Sequence, residues 1–100
     1  RFTQAQLRAA EETLRLAGDT RRAYYRAVAS AQLVSSLTQA SVAARTASEM
    51  FKRLGETGAV NRLDQAREHF FYADVAAQLA RARLQHRADR ERLIRLLGLW

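Results

Sequence analysis

Gly55-Glu56-Thr57-Gly58-Ala59-Val60-Asn61 is the one dense cluster of turn-forming residues in the chain, and it separates two long periodic segments. Gly58 can take the left-handed conformation that closes a helix, and Asn61 is a strong N-cap for the next one. Asp64 follows three residues after Asn61, where a carboxylate meets orphan amides and the positive end of the helix dipole. Before the cluster, Lys52 and Arg53 stand in the last helical turn, where cations suit the exposed carbonyls. The signals agree on a helix that stops, a tip turn over 55–61, and a second helix that starts.

Upstream of the cluster, Leu33, Leu37, Ala40, Ala44, Ala47, Phe51 and Leu54 recur in steps of four and three, the seam of a coiled-coil helix. Downstream, Leu63, Ala66, Phe70, Ala73, Ala77, Ala80 and Leu84 repeat the pattern. Two such helices joined by a short turn predict an all-α fold, a long antiparallel helical hairpin of coiled-coil type. The expected boundaries are a helix over 3–54, the tip over 55–61 and a helix over 62–97, one hairpin unit spanning 1–100. Gly18-Asp19-Thr20 is a second weak spot, but one Gly costs only about 1 kcal/mol inside a helix and no Pro forces a stop. The first helix is therefore read as continuous, roughly 75 Å long against roughly 50 Å for the second. The overhang from Gln4 to Leu16 then folds back as a third helix, pairs with another copy, or frays.

Composition supports the helical reading. The chain has 100 residues, twenty of them Ala and sixteen Arg, with four Gly and no Pro, so sandwiches, barrels and doubly wound sheets are close to excluded. The absence of Cys removes disulfides, thiolate zinc sites and cysteine nucleophiles. No apolar run approaches the roughly 20 residues that cross a bilayer as a helix. The chain opens at Arg1 without Met, an apolar signal core or a lipid-attachment Cys, and is expected to be a segment excised from a longer protein.

Each helix carries more than one apolar stripe. Phe70, Phe71 and Tyr72 are consecutive and point about 100° apart, so they cannot share a face. Val75, Leu79, Leu93 and Leu97, with Ala76 and Ala82 between them, form a second flank, and Tyr24, Val28, Ala31 and Val34 do the same on the first helix. Such stripes predict neighbours on two sides, as in a ring or larger bundle of helices.

Sites with chemistry are not expected. His69 and His86 stand seventeen residues apart on one helix, about 25 Å along its axis, too far to share an ion. Glu68 adjoins His69, so the helical Glu-x-x-His ligand spacing is absent, and no Ser, His and acid combination has a usable spacing. Neither catalysis nor a cofactor follows, and both histidines read as surface or flank residues. The net charge is +7, and Arg81, Arg83, Arg87, Arg90, Arg92 and Arg95 invite a nucleic-acid reading. At 100° per residue they scatter around the helix, with Asp89 and Glu91 among them, which favours a solvated or salt-bridged surface and no nucleic acid.

The segment Arg22-Ala23-Tyr24-Tyr25, about thirty residues of Ala-rich helix, then Gly58, Asp64, a second Ala-rich helix and the ending Leu93-Ile94-Arg95-Leu96-Leu97-Gly98-Leu99-Trp100 resemble one repeat of the TolC-like outer-membrane efflux proteins. The resemblance covers nearly the whole chain. It implies a trimer in which long helical hairpins form a periplasmic tunnel below an outer-membrane barrel, this chain being a periplasmic hairpin without its strands. In the family the tip often reads Val-Gly-Leu or Val-Gly-Ala. Here it is Thr57-Gly58-Ala59, with Thr where the family carries Val. That tip is where a periplasmic adaptor docks, linking the channel to an inner-membrane transporter. By the resemblance Leu54, Thr57, Gly58, Ala59 and Val60 are the contact residues, with Arg53 and Asp64 as candidates for polar bonds. The alternative is a self-contained helical-bundle interaction or scaffold domain, dimeric through its hairpins.

Overall fold

The computed structural model describes residues 3–100, leaving the first two residues of the expected unit outside the described ones. It is an antiparallel hairpin of α1, Gln4–Glu56, and α2, Arg62–Leu97, about 83 Å long and 17 by 14 Å across. No described helix is long and apolar enough to cross a membrane.

α1 begins at a capping box. The Gln6 amide donates to Thr3 Oγ1 at 3.3 Å and the Thr3 amide donates to Gln6 Oε1 at 2.9 Å, so two orphan donors are satisfied reciprocally. The helix then runs through Gly18 without a break. Asp19 pairs with Arg22 one turn on, and the hydroxyls of Thr13, Thr20, Thr38 and Thr46 donate to carbonyls four residues back, which absorbs their polar groups within the helix. α2 ends level with Thr20, whose Oγ1 accepts a bond from Trp100 Nε1 at 3.2 Å. Beyond that level α1 continues alone, exposed from Gln4 to Arg15. The overhang is an extension of α1 and not a third helix folded back, because nothing in the chain interrupts its backbone ladder.

The covered faces differ from the expected seams. From Thr20 onward the covered face of α1 follows Thr20, Ala23, Ala27, Ser30, Val34, Leu37, Ser41, Ala44, Ser48, Phe51 and Gly55 in steps of three and four, and Leu16 to Asp19 are half-buried before it. Leu37, Ala44, Ala47 and Phe51 of the predicted seam are covered, while Leu33, Ala40 and Leu54 lie exposed on a flank. On α2 the correction is larger. The seam runs through Gln65, Glu68, Tyr72, Val75, Leu79, Ala82, His86, Asp89, Leu93 and Leu96, so the stripe expected as a flank supplies its centre. The stripe expected as the seam is exposed, with Leu63 59%, Phe70 71% and Leu84 63% accessible, except for Ala66, which is half-buried in a groove beside Ser48 and Lys52.

Packing explains the choice. The core consists of Ala23, Ala27, Ala44, Val75, Leu79 and Ala82 with Ser30 beside them, and small residues dominate its α1 side. The small α1 side chains face the larger Tyr72, Val75, Leu79 and Leu93 of α2, small against large, whereas the outer stripe, four of whose seven residues are Ala, would set Ala against Ala and bury less apolar area. Periodicity alone does not distinguish two stripes with the same three-and-four spacing on one helix.

Candidate tip site

The tip closes by a Schellman arrangement. The Ala59 amide donates to the Leu54 carbonyl at 3.0 Å and the Gly58 amide to the Gly55 carbonyl at 3.2 Å, with Gly58 at φ 81°. Space around Gly58 is open, since a Cβ there would meet nothing within 4 Å. Its glycine is demanded by backbone conformation and not by crowding. Thr57 caps α1, and its hydroxyl donates to the Leu54 carbonyl at 2.8 Å.

The restart is equally local. Asn61 Oδ1 accepts from the Asp64 amide at 2.8 Å, as expected of an N-cap, and the Asn61 carbonyl accepts the Gln65 amide at 3.1 Å. Gln65 Nε2 reaches back to the Val60 carbonyl at 3.3 Å, tying the turn to the first turn of α2. α1 extends to Glu56, two residues past its expected end, so Gly55 is helical and lies on the seam. A Cβ on Gly55 would fall 2.0 Å from Gln65 Nε2. Sequence reasoning missed this close approach, and the signal for it was the second glycine three residues before Gly58.

Of the predicted contact residues, Leu54, Thr57, Gly58 and Ala59 come together at the end of the rod and are exposed, while Val60 is half-buried under the turn. Arg53 and Asp64 do not meet. Arg53 lies with Thr46, Met50 and Leu54 along a shallow groove on the outer side of α1, whereas Asp64 is 4.0 Å from Arg67 on α2. Exposed Met50 and Leu63 extend the apolar surface of Leu54 and Ala59 around the tip. The arrangement offers a small end of mixed apolar and polar residues in which the Leu54, Gly55, Val60 and Asn61 carbonyls are engaged.

His69 is exposed and lines a groove with Ser48, Lys52, Gln65 and Ala66. His86 departs from expectation, since it lies on the seam with Nδ1 3.0 Å from Ser30 Oγ. Among the described residues, no group of three or more His, Cys, Asp or Glu side chains comes together to hold a metal ion. Comparison of the chain with protein-family models, with curated proteins and with solved structures returns no match.

Proposed function

We propose that this hairpin is a wall element of a helical tunnel, the periplasmic segment of a trimeric outer-membrane efflux channel, and that its tip docks a periplasmic adaptor serving an inner-membrane transporter. The observation that carries the reading is the outward stripe of α2. Leu63, Phe70, Ala73, Ala77, Ala80 and Leu84 lie exposed on a stripe that keeps coiled-coil spacing over about 30 Å of helix, with Ala66 alone half-buried in it. A helix with seams on two faces has a place between two neighbours, as a stave has in a barrel, and one hairpin supplies only the first neighbour. The resemblance in the tip and in the C-terminal Leu-Leu-Gly ending supports the same assignment.

Sedimentation equilibrium of the 100-residue chain, with helical circular dichroism over a concentration series, tests the assembly. Self-association with helicity rising with concentration is expected. A stable, fully helical monomer would overturn the reading in favour of a self-contained bundle domain. For the tip, replacing Gly58 by a bulky residue in the full-length protein is expected to leave trimer assembly intact and weaken adaptor association; unchanged association would remove the docking role.

A further inference from the structure

The net charge is not spread along the rod. Residues 15–30 and 81–95 hold ten arginines against three acidic groups, while the rest of the chain balances seven cations with seven carboxylates. The two basic segments are neighbours at the open end of the hairpin, joined by the Ser30–His86 and Thr20–Trp100 contacts. The whole excess of +7 therefore sits at one end.

Within that end the arginines are sorted by face. Arg83, Arg87 and Arg90, with His86, Glu91 and Ile94, line a groove of about 430 Å³ on one side of α2. Arg81 lies in the opposite groove beside Leu33, Gln78 and Gln85. Of the two expected alternatives, solvated or salt-bridged, the arginines around Asp89 and Glu91 take the first: among the described residues only Asp19–Arg22 and Asp64–Arg67 are paired, and Asp89 accepts a bond from Gln85 Nε2. Three guanidinium groups at steps of four and three thus share one groove with no carboxylate partner, spaced over about 10 Å of helix. His86 Nδ1 is held by Ser30, which orients the ring and leaves Nε2 as its remaining polar atom.

We infer that this groove binds a ligand carrying two or more phosphoryl groups. Guanidinium forks match phosphate oxygens in shape as well as charge, and unpaired ones need no existing bond broken first. Three guanidinium groups carry more positive charge than one phosphomonoester, at about −1.5 to −2, neutralises, and consecutive phosphoryl groups match the set more fully. Glu91 at the rim leaves the lining with a net excess of two positive charges, and Ile94 offers an apolar contact to whatever carries the phosphates. The ligand chemistry is common to a free polyphosphate-bearing solute and to a phosphorylated lipid headgroup.

The test is calorimetric titration of the 100-residue chain with tripolyphosphate at about 0.15 M salt. Saturable binding, one per chain, is expected, weakened about tenfold or more in Arg87→Gln/Arg90→Gln. Arg81→Gln/Arg92→Gln removes the same charge from the same end but from other faces, and is expected to weaken binding less than about threefold. Equal loss in both double variants, or no saturable binding, would overturn the site. Flotation with phosphatidylcholine vesicles containing about a tenth phosphatidylinositol bisphosphate, whose headgroup carries more than one phosphoryl group, separates the sources. Retention that needs Arg87 and Arg90 assigns the phosphates to a lipid headgroup, and tripolyphosphate binding without retention assigns them to a solute; both uphold the site. Duplex DNA binding that falls equally in the two double variants would replace it with diffuse attraction to a polyanion.

Discussion

Ser30 Oγ lies 3.0 Å from His86 Nδ1, a polar contact across the seam between residues 56 positions apart. The same hydroxyl lies 3.2 Å from the Ala27 carbonyl, so Ser30 stands between the α1 backbone and the imidazole of α2. In a seam whose buried residues are mostly Ala, this pair fixes which turn of α1 faces which turn of α2, as a polar pair does in a coiled coil.

Ser30→Ala leaves the imidazole Nδ1 without its partner in a half-buried position and is expected to cost about 1 kcal/mol in urea unfolding. A double-mutant cycle with His86→Ala is expected to give a coupling of about 0.5–1.5 kcal/mol. Additive effects would mean that the two side chains do not bond in solution.

Gly58 is required for its positive φ alone, since its surroundings are open. Stability by urea unfolding is expected to fall in the order Gly, Asn, Ala, Val at this position, with Gly58→Ala costing about 1–2 kcal/mol and Asn less. A neutral Gly58→Val would show that the tip closes in another way.

Gly55 is governed by the opposite cause. Its helical conformation suits Ala, which would gain about 1 kcal/mol in helix propensity, but the new methyl would overlap the Gln65 side chain. Gly55→Ala is expected to gain little or to destabilise in the native background and to recover most of that gain when combined with Gln65→Ala. The full gain from Gly55→Ala alone would place Gln65 elsewhere.

The corrected phase of α2 gives a direct comparison. Leu79 is 7% exposed and Leu84 63% exposed, although they stand five residues apart on one helix. Leu79→Ala is expected to cost about 2–3 kcal/mol of hairpin stability, near the low end for buried leucine because the core is thin. Leu84→Gln is expected to change monomer stability by less than about 0.5 kcal/mol and to reduce self-association measured by sedimentation. The reverse ranking would restore the phase expected from periodicity.

Where local chemistry decides the outcome, the residues were legible. Asn61, Asp64, Gly58 and the uninterrupted run through Gly18 behave as their types and spacings dictate, because caps, dipoles and backbone ladders act within one helical turn. The candidate tip residues were legible only as a cluster. Their separation into an exposed end, a half-buried Val60, and Arg53 and Asp64 facing apart depends on how the turn orients both helices. His86 read as a flank residue because a lone His carries no mark of the partner it will meet.

By itself the sequence determined two long helices, one tip, the antiparallel pairing and the presence of more apolar surface than two helices can cover, all consequences of spacing, capping and composition. Only the tertiary structure decided which stripe of each helix faces the other. α2 carries two stripes of equal period, and the choice depends on the close approach of Gly55 to Gln65, the small residues of α1 and the fit of Ser30 to His86. Those are relations between distant residues, and a period measured along one helix holds no information about them.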